Sequence, residues 1–505
     1  MLNIMSGVLV ATVFAPVAVA AAAYTVGGRT PRLVGKAGAL TAGLGFAGAA
    51  ALAISAAGEP VRAAAGPIGL TADRLAVVLL LLIFGVSAIV QSFAIRYLAG
   101  DPRAAWFAGG AGLLTAASAG LVTVDSLVGL ATFWTLAGAA LCLLLGMYWQ
   151  LPSARDGVRR TVTAFVIGDL ALWTAVVLAT ATWGYIDLRA TAPSDLAGAA
   201  LPMVALGVVV AALSRSAQIP FHRWLPATLA APTPVSALLH AGVVNAGGIL
   251  LIRLAPLSAD DAARALTILA GAATMVYGAL IMLVKPDIKG ALVNSTTAQM
   301  GFMILTCGLG LWAAAVIHLV AHGFYKATLF LSSGSAVAAR RRHEWAPPTA
   351  TLTRGQLTVN AVAALALPGL AIAAALALVP LPAGDHAAEQ ALLIFAFATG
   401  AAAAWGWLRR RPGLTGMAAG AAALVPAAIG YVAIINAVSG FLTPALPAAE
   451  LPAAWVWAIA AAAVAVLGAL AAIRWTPGAR RLQYALYAGA LSAGHIPARL
   501  TGARS

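Results

Sequence analysis

The sequence predicts an all-α, polytopic membrane bundle of about 14–15 transmembrane helices, and three observations point to it. Of 505 residues, 62% are hydrophobic and only 9% are charged, whereas a soluble domain is about a quarter charged. Mean hydropathy is +0.95. Apolar runs of roughly 20 residues, long enough to cross a hydrocarbon core as a helix, recur from end to end.

Segments start near Leu2, Val34, Ala72, Ala104, Ser126, Val158, Leu196, Pro234, Ala262, Ile288, Trp312, Leu357, Ala387, Gly416 and Ala453. The first lacks the basic start and short apolar core of a secretory leader and reads as a retained helix. Ala and Gly fill many segments, as in Gly110–Gly120, and small residues let helices approach closely in lipid. Trp149, Trp183, Trp405 and Trp475 fall at run ends, where an interfacial anchor belongs. Cys142 and Cys307 each stand in an apolar run with no partner spacing, so they read as small buried hydrophobes.

A net charge of +15 invites a nucleic-acid reading, which would require basic residues clustered with aromatics on one face. Here the charge is distributed by loop. Alternate loops, around Arg29–Lys36, Arg96–Arg103, Arg155–Arg160, Arg215–Arg223, Lys285–Lys289, Arg340–Arg354, Arg409–Arg411 and beyond Arg474, hold 24 of the 30 basic residues. The other loops hold Arg62, Arg74, Arg189, Arg253 and Arg264. Cytoplasmic loops carry the Lys/Arg excess, which places the N-terminus outside and the C-terminus inside and leaves no nucleic-acid partner. Beyond Arg480 the tail is short and weakly amphipathic, suited to the cytoplasmic surface or to a docked partner.

The chain is organised around Leu213–Leu254. There, a segment ending at Arg215 is followed by Pro220, Pro226, Pro232 and Pro234 before a new apolar run carries His240. Proline removes an amide donor and clashes with the preceding turn, so a continuous helix cannot pass. In lipid, freed backbone groups persist only where protein or water meets them, and a polar break of this kind marks an ion or substrate path. Pro368, midway through the twelfth segment, is the second expected helix break. Two interrupted helices five segments apart hint at an inverted repeat.

His318, His322 and Lys326 recur at i, i+4 and i+8 along one helix face, each about 6 Å above the last, a gap that one water bridges. Imidazole titrates near neutrality and burial draws a lysine toward that range, so the stripe has the parts of a proton relay. Ionisable groups are costly in a membrane helix and mark function there. Asp169 lies mid-segment and requires a basic partner; Arg215 and Lys326 are the mid-membrane candidates. Lys289 opens a helix followed by Asn294, Ser295, Thr296, Thr297 and Gln299. That run either lines water or is a loop lysine followed by packing hydroxyls. No P-loop, dinucleotide fingerprint or metal-ligand spacing is present, so no cofactor is expected in this chain.

The stretch SAQIPFHRWLPATLAAPTPVSALLHA, with KPDIKGALVNSTTAQMGFM and AAVIHLVAHGFYKATLFLSSGS, resembles the antiporter-like proton-translocating membrane subunits of complex I, Mrp antiporters and membrane-bound hydrogenases. The resemblance implies two inverted five-helix repeats within a single membrane domain over 1–505. In that arrangement 1–100 are N-terminal helices, 104–254 and 262–407 the repeats, 416–475 C-terminal helices and 476–505 a cytoplasmic tail. By position, Arg215 falls where the family has a broken-helix lysine, which makes it the expected partner of Asp169. His240, His318, His322 and Lys326 match the family's hydrophilic axis. Thr135 stands where the family has a glutamate, and no ionisable side chain lies between Gly355 and Gly384.

The HAGVVNAGGILLIR wording and the missing glutamate look most like the membrane subunit of DAB-type inorganic carbon transporters. That resemblance implies a bacterial inner-membrane protein in which H+ or Na+ flow powers CO2 hydration and bicarbonate accumulation. The chemistry would belong to a large cytoplasmic, β-carbonic-anhydrase-like zinc subunit, not to this chain. The alternatives are a subunit of a redox complex or Mrp-type antiporter, and a membrane scaffold that conducts nothing.

Overall fold

The computed structural model describes residues 2–447 apart from 190–192, 197, 336–351 and 382–385, together with 454, 457–458, 461–462, 478 and 480–494. Among these, twelve helices are long and apolar enough to cross a membrane, and the protein is a polytopic helical membrane bundle. Fourteen of the expected segments coincide with helical stretches. The one starting near Ala453, and the basic run Arg340–Arg342, lie outside the described residues.

By Cα proximity the chain divides into two compact units: Met1–Gly310 with His318–Gly334 and Ala469–Ser505, and Leu311–Ile317 with Ser335–Gly468. The larger opens with α1 (Leu2–Thr25) and α2 (Pro31–Ala56), then a hairpin of β1 (Val61–Ala65) and β2 (Ile68–Ala72). Next come α3 (Arg74–Tyr97), α4 (Ala104–Thr123), α5 (Leu127–Leu145), α6 (Pro152–Trp183) and α7 (Leu201–Arg215). After the proline-rich connection follow α8 (Thr233–Ala241), α9 (Ala246–Arg253), α10 (Asp261–Val284), α11 (Ile288–Gly308) and, from His318 onward, α12 (Trp312–Ser332).

Local chemistry sets the helix starts. Proline occupies the first turn of α2 and α6, where its missing N–H is no loss. Asp73, Ser126, Asp260 and Asp287 cap α3, α5, α10 and α11 by accepting first-turn amides. Between α10 and α11 the backbones nearly touch. A Cβ on Gly278 would lie 2.4 Å from the Ala298 nitrogen, and one on Gly301 2.4 Å from the Met275 nitrogen, so only glycine fits this crossing.

At the face opposite the basic loops, Asp73 clasps four segments together. Arg253 meets it with both terminal nitrogens, at 2.5 and 2.8 Å, and Arg189 Nε lies 3.2 Å away. The same guanidiniums donate to the Val122 and Val124 carbonyls that end α4. Burial raises the Asp73 carboxyl, but the charge and hydrogen bonds of Arg253, then the charge of Arg189, outweigh it and hold the group well below the usual carboxylate range. The clasp fixes the depth of α3, α4 and α9.

The last helix of this unit, α16 (Arg480–Ala493), lies along α10. Tyr277 donates to the Ala493 carbonyl at 3.1 Å and Lys285 to that of Gly494 at 2.8 Å. Over this stretch the tail contacts the bundle itself through α10.

The smaller unit packs α13 (Arg354–Leu378), α14 (Ala387–Leu408) and α15 (Leu414–Leu442) around Ala364, Ala404 and Leu408 and around Ala375, Leu393 and Val432. The expected break at Pro368 is corrected here, since α13 continues through it as one helix. A single proline removes one hydrogen bond, which a membrane helix tolerates when neighbours adapt. Gly400 of α14 supplies the room: a Cβ there would lie 2.9 Å from the Pro368 ring. The four prolines between α7 and α8 leave no such option.

Candidate functional site

The break at Pro220 is a true interruption. Helix α7 ends in a Schellman turn: Gln218 N bonds the Leu213 carbonyl at 2.9 Å, Ala217 N bonds that of Ser214 at 3.4 Å, and Ala217 takes a left-handed φ of 52°. The Ile219–Pro220 peptide is cis, and two short 3-10 turns, His222–Trp224 and Pro226–Ala230, lead to α8. Neighbouring side chains meet the freed backbone groups. Trp224 donates to the Ser214 carbonyl at 2.9 Å, and Thr274 accepts from Ile219 N at 3.0 Å. Backbone that would be forbidden in lipid is thereby satisfied inside protein.

Arg215, 1% exposed, is the last residue of α7 and pairs with Asp169 of α6: Nη2 to Oδ1 is 2.9 Å. The guanidinium lies between the Trp134 and Phe165 rings, at 4.3 and 4.1 Å from their centroids. Its Nη1 donates to the Trp134 carbonyl at 3.1 Å, while Trp134 Nε1 donates to Asp169 Oδ1 at 2.8 Å. Gly138 leaves the space, since a Cβ there would sit 2.9 Å from Nη2. Arg215, grouped by sequence with the basic loops, is in fact a buried ion-pair partner. An arginine held this way fixes positive charge and does not give up its proton.

Asp169 also faces a groove of about 740 Å³ whose lining includes Thr135, Cys142, Arg103 and Trp106. Thr135 carries no charge and accepts from Trp173 Nε1 at 3.1 Å.

The second cluster lies on α12. Lys326 is fully buried, and its ammonium donates to Ser295 Oγ and, at 3.2 Å, to the Leu292 carbonyl of α11. His322 and His318 stack with ring centroids 5.8 Å apart. His318 is hydrogen-bonded to the Gln299 backbone and packs edge-on against Phe302. Both ring nitrogens of His322 are buried without a protein partner. From His318 to Lys326 the stripe covers about 12 Å of depth at 1.5 Å per residue.

His240, on α8, is 1% exposed, stacks on Phe330 at 4.4 Å, and lies within electrostatic reach of Lys326 and Lys289. Lys289 is half-buried and reaches the Ala231 carbonyl at 3.4 Å, so it tethers the proline-rich connection to α11.

The structure therefore joins Asp169 to Arg215, and gathers His240, His318, His322 and Lys326, with Lys289 at the edge. It does not hydrogen-bond the two clusters to each other. Sequence reading missed Ser295 as the lysine's partner, although the polar run containing it was visible. Among the described residues no group of three His, Cys, Asp or Glu is placed to hold a metal ion.

A family model described as NADH:quinone oxidoreductase/Mrp antiporter, TM, matches residues 124–408. A second, described as NADH-Ubiquinone oxidoreductase (complex I), chain 5 N-terminus, matches residues 62–108. The probable inorganic carbon transporter subunit DabB1 of Halothiobacillus neapolitanus is 39% identical over 61% of this chain and 56% of its own length. Its counterpart DabB of Bacillus subtilis is 38% identical over 54% of each chain. NADH-quinone oxidoreductase subunit L of Mycobacterium tuberculosis is 36% identical over 55% of this chain and 44% of its own. The chain thus spans about half the length of the curated relatives it matches. A chain in the structure of the Mrp complex from Dietzia sp. DQ12-45-1b shares the fold. The TM-score is 0.60, at 23% identity, covering 96% of this chain and 62% of that one. With more than half its residues matched, this chain belongs to the NADH:quinone oxidoreductase/Mrp antiporter transmembrane family.

Proposed function

We propose that this chain is the cation-conducting membrane subunit of an energy-coupled inorganic carbon uptake complex. The observation that carries the conducting role is the buried stripe of His318, His322 and Lys326 facing His240. Four titratable groups held inside a membrane bundle are costly to bury, and groups of that kind mark ion pathways and proton relays. Protons, or sodium ions with which they exchange, pass along this stripe. The Arg215–Asp169 pair supplies a fixed charge near the broken helix that controls passage. The basic loops face the cytoplasm, with the N-terminus outside.

The carbon substrate is supported by the relatives named as inorganic carbon transporter subunits, at 36–39% identity, and by Thr135 in the glutamate position. Hydration of CO2 would occur in a cytoplasmic zinc subunit docked on the basic loops, which leaves this chain a transport component and not itself an enzyme. Moving one charge through the membrane is worth about 2.3 kcal/mol per 100 mV, which at ordinary potentials holds a coupled bicarbonate gradient tens-fold from balance.

A second reading, a subunit of a redox complex or Mrp-type antiporter, is favoured by the match to subunit L. Purifying the tagged protein from its own membranes separates the two. The expected result is one large zinc-containing soluble subunit in stoichiometric amount. Several further membrane subunits with no zinc protein would replace the first reading by the second.

A further inference from the structure

The hydrophilic residues described so far leave a polar line on α3 and α4 unused, made of residues outside the histidine stripe. Gln91 Nε2 donates to Ser87 Oγ at 2.8 Å, and Ser87 and Thr115 share a hydrogen bond of 2.7 Å. All three side chains are at least 96% buried, and Gln91 Oε1 has no partner.

Each end of the line meets a cavity. Gln91 lines one of about 210 Å³ whose lining also includes Arg32, Gly100, Asp101 and Pro102, residues at the basic-loop ends of α2, α3 and α4. Ser87 and Thr115 line another of about 60 Å³, shared with Arg215, Asn245 and the α8 residues Leu238 and Ala241. That volume is well above the roughly 10–15 Å³ one water requires. Its polar lining is also under-satisfied. Arg215 Nε and Asn245 Oδ1 are buried atoms without a hydrogen-bond partner, and buried polar groups of this kind normally pair with protein or with water.

We infer that Gln91, Ser87 and Thr115 form a second water-accessible half-path, running between α3 and α4 from the basic-loop face to the Arg215 guanidinium. Its cargo is a proton carried along waters that bridge the two cavities; none of the three side chains needs to ionise, because hydroxyl and amide groups orient such waters by donating and accepting. The route gives the Arg215–Asp169 pair its own contact with one side of the membrane, independent of α12. The assignment of cargo rests on the transport function proposed above, whereas the existence of the route does not.

The test uses the full chain in inverted membrane vesicles, with Cys142→Ala and Cys307→Ala to remove native thiols. Ser87→Cys, Thr115→Cys and, as a fully buried control on the same helix, Val90→Cys are each treated with a small, membrane-impermeant methanethiosulfonate from the basic-loop face. The cysteines at 87 and 115 are expected to react about ten-fold or more faster than that at 90, a barrier difference of about 1.4 kcal/mol, and Gln91→Leu is expected to remove the difference. Rates equal to that at 90 would overturn the route. In parallel, Gln91→Leu in the otherwise native chain is expected to lower driven inorganic carbon uptake about ten-fold, again about 1.4 kcal/mol. Fast labelling with uptake untouched by Gln91→Leu would overturn the route's conducting role. Wild-type vesicles that accumulate no inorganic carbon would sink the substrate reading while the labelling still decides whether water reaches Arg215.

Discussion

Replacing Lys326 by methionine is expected to bring inorganic carbon uptake down to the level of ionophore-treated vesicles, a loss on the order of 10²-fold or more, as removal of a positioned proton-transfer group does elsewhere. Methionine fills nearly the volume of the lysine stem and needs no desolvated charge. Because Lys326 hydrogen-bonds only the neutral Ser295 and Leu292, and burying a charge without an opposite charge is costly, its removal strands no counterion, so thermal stability and membrane abundance should hold. Lys326→Arg separates two roles for the ammonium. An arginine keeps the positive charge beside Ser295 and Leu292 but effectively never deprotonates. If Lys326 passes protons between His322 and the waters beyond it, arginine fails as completely as methionine. Uptake restored by Lys326→Arg would reduce the residue to a fixed countercharge and end the relay.

The second large effect concerns Arg215 and Asp169. Asp169→Asn leaves a guanidinium enclosed by Trp134 and Phe165 with no anion, and breaking one side of a buried pair costs about 3–5 kcal/mol. The variant should therefore unfold at a clearly lower temperature in detergent and should not support uptake. Adding Arg215→Gln to Asp169→Asn removes the stranded charge, so most of the lost stability should return. Uptake should not, because the fixed charge at the broken helix is gone. The double-mutant cycle gives the coupling directly. Full recovery of uptake in the double variant would make the pair a structural clasp like the one at Asp73.

Much of this was legible in the sequence. Fourteen apolar segments coincide with helices because spanning length and hydropathy are local properties. The interruption after Arg215 was legible too, since four prolines in fifteen residues leave no helical alternative. The Asp169–Arg215 pairing followed from scarcity, because a buried carboxylate needs a cation and only two were available at that depth, and from the family resemblance.

What sequence could not deliver is rotation and depth. Ser295 meets Lys326 only because α11 turns its polar run toward α12, and Ser87 meets Thr115 only because α3 and α4 face each other. Such contacts join residues dozens of positions apart and leave no periodic trace. Pro368 failed as a break for the converse reason. A lone proline is weak evidence in lipid, and the glycine that accommodates it lies 32 residues away on another helix.

The most direct measurement is accumulation of labelled bicarbonate by right-side-out vesicles carrying this chain and its co-purifying partner, energised by an imposed membrane potential and pH or sodium gradient. Accumulation above equilibrium that collapses with a protonophore, or with a sodium ionophore if sodium is the cation, is the expected result. Accumulation indifferent to both ionophores, or identical with the Lys326→Met chain, would contradict a cation-driven path through the buried histidines and lysine.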